Sequence, residues 1–169
     1  MTALEIITEK VAANQWANRQ VLEWLHQQEE DVWDKDVVSS FSTINKLMHH
    51  VMEASKYYLS ILTGSSETYE KEMPSSKIEE ELRIVDQKLV DWLSEQTVDD
   101  MAREISLKRS PFVERYTVAT LITHMLNHNT YHRGQLVALR HQLGMSDAPK
   151  TDHYRFVISK QLAEMEEEK

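Results

Sequence analysis

Glycine and proline are scarce in this chain, and their scarcity restricts the folds that it can adopt. The 169 residues include three glycines and three prolines, well below the average use of both in globular proteins. An all-β fold needs many tight turns, and these two residue types supply most of them. We therefore expect an all-α protein with long helices. The chain also has no cysteine, which excludes disulfides and thiolate metal ligands.

Apolar residues recur at helical spacing in four long segments and one short one. The predicted helices cover residues 3–28, 43–62, 75–96 and 117–143, followed by a short helix at 153–164. Ser39, Ser40, Ser42 and Thr43 are N-cap candidates for the second helix, and Gly64 and Gly144 occupy positions where helix C-caps are expected. Residues 98–114 are ambiguous and compatible with extended structure, with a turn at Ser110-Pro111.

This pattern predicts one domain, a four-helix bundle with a short C-terminal fifth helix, spanning residues 1–169. Short connections favour an up-down order of the helices, although the longer connection before the fourth helix would also permit a crossover.

The charge and hydropathy of the chain exclude several classes of partner. A net charge of -9 argues against a nucleic-acid-binding surface, which needs clustered Lys and Arg. No apolar run approaches the ~20 residues that span a bilayer, and no signal peptide is visible at the N-terminus. We expect a cytoplasmic protein that acts on a small molecule, with neither nucleic acid nor membrane as its partner.

Histidines on the predicted fourth helix have the spacing of metal ligands. His124, His128 and His132 follow one another at four-residue steps, and two His at i and i+4 present both imidazoles on one helix face. All three cannot bind one ion, because eight residues rise about 12 Å and Zn–N bonds measure about 2.0–2.1 Å. His132 falls within the apolar face of this helix, His128 lies on its flank and His124 lies further out. We therefore choose His128 and His132 as the pair.

A third ligand must then come from another helix. His49 and His50 are adjacent on the predicted second helix. His50 lies beside the apolar stripe of that helix, whereas His49 points nearly opposite, toward solvent, so His50 is the better candidate. The alternative for all of these residues is that they are hydrogen-bonded core histidines.

Several segments together resemble a known family. Residues 128–135 read His-Asn-Thr-Tyr-His-Arg-Gly-Gln and resemble the His-x-x-x-His-Arg-Gly-Gln signature of the DinB/YfiT-like family. Trp16-Ala17-Asn18-Arg19, residues 47–51 and the closing segment from Leu143-Gly144 through Pro149 to Asp152 resemble further elements of that family. The resemblance implies a four-helix bundle, usually a homodimer, that uses His50, His128 and His132 to bind one divalent metal ion, nickel or zinc. Some relatives act on adducts of low-molecular-weight thiols.

Three neutral imidazoles leave a coordination position open, where a thiol or a water would have a lowered pKa. Our first hypothesis is therefore a metal-dependent transferase that acts with a low-molecular-weight thiol. The second is a metal-dependent hydrolase of a small amide or ester, with Glu53 as candidate general base, although Glu53 also fits a solvated helix residue. The third is a non-catalytic metal-binding stress protein.

Other residues are candidates for supporting roles around the histidines. Arg133 could bind an anionic substrate group or form a surface salt bridge. Asn14 and Asn18 share a face of the first helix and could face the site, and Gln135 lies one turn beyond His132. Gly134 lies inside a predicted helix at a cost of about 0.5–1 kcal/mol relative to Ala, which close helix packing would explain.

Overall fold

Helices dominate the computed structural model, which describes residues 1–109 and 111–167. Ser110, assigned to a turn from the sequence, lies outside this part of the chain. These residues form five α-helices: α1 (Ala3–His26), α2 (Ile44–Thr63), α3 (Ser75–Ser94), α4 (Val118–Leu143) and α5 (His153–Glu167). The predicted all-α class, with four long helices and a short fifth one, is confirmed. Within the described ranges, none of the helices combines the length and apolar character needed to cross a membrane.

The helix ends follow from local sequence. Thr2 opens α1 with a capping box, and the hydroxyls of Thr43 and Thr117 accept backbone N–H groups at the starts of α2 and α4. Gly64 and Gly144 end α2 and α4 with φ of 71° and 66°, in the left-handed region that glycine adopts without strain. The predicted cap at Thr43 and both glycine C-caps are therefore confirmed.

The ambiguous segment before α4 forms a β-hairpin. A 3₁₀ turn at Asp99–Ala102 leads into β1 (Glu104–Arg109), which pairs antiparallel with β2 (Phe112–Thr117). Ile105 and Tyr116 are opposite each other and pack partly on the core. The hairpin ends at the N-cap of α4, so it fixes where that helix begins.

The helices do not follow a simple up-down order. Both α1 and α2 pack against α3 and α4, so that α1 and α2 are diagonal to each other. Tyr58 contacts His124 while His50 contacts His132, which makes α2 antiparallel to α4. Bonds from α1 to α3 likewise run antiparallel. The early part of α1 packs with the early part of α4 and the late part with the late part, so these two helices run parallel. The order is therefore up-down-down-up, and residues 64–74 return along the bundle to start α3.

Buried residues form two apolar clusters with polar side chains between them. One cluster contains Val21–Leu25 of α1 and the first half of α2, and the other contains Ile7 and Val11 of α1 and the second half of α2. The buried polar residues that lie between these clusters along the helices are Asn14, Asn18, Ser55, Asp86, Asn129, His132 and Arg133. Buried polar groups need partners to offset lost hydration, so this layer is where specific interactions concentrate.

Candidate metal centre

The structure brings together the three histidines that the sequence analysis selected. Because α2 and α4 are antiparallel, His50 lies opposite the pair formed by His128 and His132. Nε2 of His128 is 3.1 Å from Nε2 of His50 and 3.1 Å from Nε2 of His132. The ligand atoms of all three lie within 4.8 Å of one another, so three ring nitrogens converge on one point.

The spacing of these nitrogens suits a common metal ion. Nitrogen ligands about 2.0–2.1 Å from one ion lie about 2.8–3.4 Å apart at octahedral to tetrahedral angles. The two Nε2 separations of 3.1 Å agree with that range. Imidazole nitrogens are ligands that suit zinc and nickel. Both the geometry and the chemistry of the donor set therefore fit a divalent transition metal.

A hydrogen bond fixes which nitrogen of His132 is available. Nδ1 of His132 lies 2.7 Å from Oε1 of Gln135, an acceptor, so Nδ1 carries the hydrogen and donates it. In the neutral ring, Nε2 then presents a lone pair toward the other two histidines. The predicted supporting role of Gln135 is thus consistent with its position, since metal-binding histidines typically have such a partner on the other ring nitrogen.

Burial and mutual repulsion favour the uncharged forms of His128 and His50. Burial lowers the pKa of His128 from 6.5 to about 4, and the neighbouring His132 and His50 add smaller contributions in the same direction. Desolvation also lowers the pKa of His50, with further contributions from His132 and His49. His132 is buried and His128 is half-buried. Neutral imidazoles are the form that binds metals, so the lowered pKa values of His128 and His50 favour metal binding.

Aromatic rings hold the histidines in place. The Phe41 ring lies 5.1 Å from the His50 ring and 5.6 Å from the His132 ring, and the Tyr131 ring lies 5.1 Å from the His132 ring. Sequence reasoning missed Phe41, because it precedes α2 in an irregular segment without periodicity. Its contacts restrict the orientation of two of the three imidazoles.

His124 lies outside the cluster but not far from it. Its Nε2 is 2.8 Å from the hydroxyl of Tyr58, and the rings of both residues contact His128 at 6.4 and 6.5 Å. The pair continues the seam between α2 and α4 by one turn. Two features of the sequence could have indicated this pair: His124 continues the four-residue repeat of histidines, and Tyr58 lies two turns after His50.

Two predictions about the neighbouring face of α2 are wrong. His49 is not turned to solvent, because its side chain is 16% exposed, and Glu53 is not solvated, because its side chain is also 16% exposed. Nε2 of His49 and Oε1 of Glu53 are buried 3.8 Å apart without a hydrogen-bond partner. Burial raises the pKa of Glu53. Glu53 thus faces His49 and is not part of the three-histidine group.

The predicted surroundings of Arg133, Asn14 and Asn18 also need correction. Arg133 forms no surface salt bridge, since it is 7% exposed. Its Nη1 donates to Oδ1 of Asn14 at 2.7 Å and to Oδ1 of Asn18 at 2.8 Å. The amide groups of both asparagines donate to the carboxylate of Asp86, with Asn18 at 2.9 and 3.2 Å. The asparagines therefore bridge a buried cation and a buried carboxylate instead of facing the histidines.

The two charged groups of this network are perturbed in opposite directions. Burial raises the pKa of Asp86 to about 6, against the hydrogen bond from Asn18 and the charge of Arg133. Burial lowers the pKa of Arg133 to about 10, so the guanidinium stays charged at neutral pH. Sequence reasoning missed Asp86, because an acidic residue on an amphipathic helix looks like a surface residue.

Close packing does not explain Gly134. A Cβ built at this position would meet no atom within 4 Å beyond its own neighbours and helix backbone, and the residue is exposed. The explanation offered from the sequence is therefore wrong.

Comparison with known proteins agrees with this architecture. The model of the DinB family matches residues 2–167. Protein DinB of Bacillus subtilis (strain 168) is 26% identical over 153 residues, which cover 83% of this chain and 87% of that protein. A crystal structure of a DinB-like protein from Bacillus cereus has a TM-score of 0.64 at 20% identity, covering 88% of this chain and 94% of that one. A DinB-like protein from Bacillus subtilis has a TM-score of 0.58 at 13% identity, covering 89% and 96%. These two structures share the fold, and the match to the family model over nearly the whole chain shows that this protein belongs to the DinB family.

Proposed function

We propose that this protein is a metal-dependent enzyme in which His50, His128 and His132 bind one divalent ion, nickel or zinc. Its reaction is the transfer of a low-molecular-weight thiol to or from a small molecule. The observation that carries the proposal is the convergence of three Nε2 atoms in a group that includes no carboxylate among the described residues. As the family resemblance implies, the protein acts as a homodimer.

The composition of the donor set favours catalysis over a structural role. Structural zinc sites are closed by four protein ligands, whereas catalytic sites use three and leave a position for substrate. A divalent ion bound there acts as a Lewis acid and lowers the pKa of a thiol that binds to it. This supports an enzyme above a non-catalytic metal-binding protein.

The protein's own side chains position the ligands. Gln135 accepts the Nδ1 hydrogen of His132 and so turns its Nε2 lone pair toward the other rings. Phe41 packs on the rings of His50 and His132. These contacts reduce the side-chain motion that metal binding would otherwise have to arrest.

Thiol transfer agrees with the geometry better than hydrolysis does. A hydrolase of this type needs a general base close to the attacking water, and the carboxylate considered for that role, Glu53, faces His49 instead. A thiol becomes nucleophilic once its pKa is lowered and needs no separate base. The absence of a carboxylate from the three-histidine group among the described residues therefore supports the thiol-dependent reaction.

Elemental analysis of protein expressed without a His tag tests the metal centre. We expect about one nickel or zinc per chain in the wild type and loss of that metal in His50→Ala and in the double variant His128→Ala/His132→Ala. His49→Ala is the matched control, because it removes the adjacent histidine and should retain the metal. Wild-type protein without metal after equilibration with either ion would refute the proposal.

A spectroscopic titration tests the thiol. Protein loaded with cobalt in place of the native ion is titrated with 2-mercaptoethanol or cysteine, and in parallel with ethylene glycol or serine as matched alcohols. A sulfur-to-metal charge-transfer band should develop with the thiols alone. A metal-loaded protein whose spectrum does not respond to thiols would contradict the assigned substrate class and leave the metal centre intact.

A further inference from the structure

One ring nitrogen of the three-histidine group lacks a hydrogen-bond partner. Nδ1 of His128 is buried and forms no hydrogen bond within residues 1–109 and 111–167. Nε2 of the same ring lies 3.1 Å from Nε2 of His50 and of His132. A neutral imidazole that binds an ion through Nε2 carries its hydrogen on Nδ1. That N–H group is then buried away from water, and it needs an acceptor on the protein.

The side chain of Asn129 acts on the His128 ring as an acceptor does. Burial is the largest influence on the pKa of His128 and lowers it, and the nearby histidines lower it further. Asn129 acts in the opposite direction, because a hydrogen-bond acceptor stabilises the protonated ring. Since Nε2 is turned toward the other histidines, the Asn129 side chain is placed to serve Nδ1. Its alignment with Nδ1 falls short of a formed hydrogen bond in this structure.

The amide oxygen of Asn129 has the capacity for one more hydrogen bond. Oδ1 accepts the hydroxyl of Ser55 at 3.3 Å, and an amide oxygen has two lone pairs. Asn129 is 1% exposed and Ser55 is fully buried, so water does not compete for the oxygen. Nδ2 of Asn129 has no partner in the described part of the chain. A small rotation of the amide toward His128 therefore breaks no bond made by Nδ2.

The other ligand of α4 already has a partner of this kind. Nδ1 of His132 donates to Oε1 of Gln135 at 2.7 Å. Such partners fix the ring orientation of metal-binding histidines and decide which nitrogen faces the ion. His128 has the greater need of one, because its Nε2 lies between those of His50 and His132. A rotation of the His128 ring would change both 3.1 Å separations together.

We propose that Asn129 is a positioning residue of the metal centre. Its Oδ1 accepts the Nδ1–H of His128 when an ion binds at Nε2, and Ser55 holds the amide from α2. Because α2 also supplies His50, the bond between Ser55 and Asn129 links the two helices that provide the ligands. This role rests on the proposed metal centre and adds to it a residue that does not bind the ion itself.

Competition with a chelator measures the effect on zinc affinity. Asn129→Leu, which removes the acceptor at similar volume, should weaken zinc binding about 10–100-fold. Asn129→Asp keeps an oxygen at the same position and should bind zinc at least as tightly as the wild type. Ser55→Ala, which removes the bond that holds the amide, should weaken binding about two- to tenfold. Asn127→Leu is the matched control, because Asn127 precedes His128 at an exposed position, and it should leave zinc affinity unchanged.

Proton NMR of cobalt-loaded protein separates positioning from a purely structural role. The paramagnetic ion shifts the ring N–H signals of its histidine ligands, and transfer to D2O shows how fast each hydrogen exchanges. The His128 signal should exchange slowly in the wild type and in Asn129→Asp. It should shift and exchange faster in Asn129→Leu, whereas Gln135→Leu should affect the His132 signal instead. A side chain that only fills space would leave these signals in place.

The outcomes distinguish this role from the metal centre and from packing. Unchanged zinc affinity and an unchanged His128 signal in Asn129→Leu would overturn the proposal while leaving the metal centre intact. The same result with a lower urea midpoint in the presence of chelator would assign Asn129 to the fold alone. Wild-type protein that binds no metal would overturn the metal centre and this role with it. Should Asn129→Leu fail to fold, a rapidly exchanging His128 signal in the wild type or in Asn129→Asp would refute the proposal.

Discussion

Replacing Arg133 by Met should destabilise the metal-free protein by about 3–5 kcal/mol. The guanidinium donates three hydrogen bonds, to Asn14, Asn18 and Thr130, at 2.7–3.0 Å. Its removal leaves two buried amide oxygens unpaired, and it leaves the 4% exposed carboxylate of Asp86 with Arg83 as its remaining nearby cation. Removing one partner from a buried charged network typically costs about 3–5 kcal/mol, because the remaining groups lose both water and partner.

Urea denaturation in the presence of a chelator measures this loss without a contribution from bound metal. With a slope of about 2 kcal/mol per M, the midpoint should fall by about 1.5–2.5 M. The double variant Asp86→Leu/Arg133→Met should lose less than the sum of the two single losses, since it leaves neither buried charge without its counter-charge, although both asparagines still lack their partners. A loss below about 1 kcal/mol, the level of an exposed pair, or additive losses in the double variant would refute the assigned network.

Three other predictions concern His128, Gln135 and the two glycines of α4 and its C-cap, and they are checked by urea denaturation or by metal affinity. In metal-free protein, His128 stays neutral to about pH 4 while the unfolded side chain titrates near 6.5. The stability it contributes is therefore complete above pH 6.5 and is lost as the pH falls toward 4, and urea midpoints should fall more steeply for wild type than for His128→Gln. Gln135→Leu should lower metal affinity about 10–100-fold in competition with a chelator, and unchanged affinity would show that its bond to His132 has no role. Gly134→Ala should stabilise the protein by about 0.5–1 kcal/mol, because a Cβ there meets nothing within 4 Å. Gly144→Ala should destabilise it, because its φ is 66°, and changes of the same sign would contradict this reasoning.

Features that depend on one helix at a time were predictable from the sequence. Helix periodicity placed α1 to α5, and the caps at Thr43, Gly64 and Gly144 fixed several of their ends. The helical wheel of α4 separated His128 and His132 from His124, and the structure places His124 against Tyr58 instead. The same kind of argument failed for His49, because residues 71–74 fold over that face of α2, and periodicity cannot foresee a covering loop.

Features that depend on several helices together were not predictable. The direction of α3 depends on the course of residues 64–74, which carry no periodic signal. Asp86 and Arg133 are joined through two asparagines of α1, so their burial depends on three helices meeting at one level. From α4 alone, Arg133 reads as a surface cation, because the sequence does not show the partners that stabilise its burial.

The buried polar layer favours a single alignment of the helices along the bundle. Apolar clusters above and below it would tolerate sliding of one helix along another, because hydrophobic contacts are non-directional. The bonds that join Asn14 and Asn18 to both Asp86 and Arg133 are met in one alignment of α1, α3 and α4. Arg133 follows His132 directly, so the same alignment sets the height of His132 relative to α1 and α3. The double variant Asp86→Leu/Arg133→Met separates these effects: a partly recovered stability with a weakened metal affinity would assign the network to positioning the metal centre, and an unchanged affinity would assign it to the fold alone.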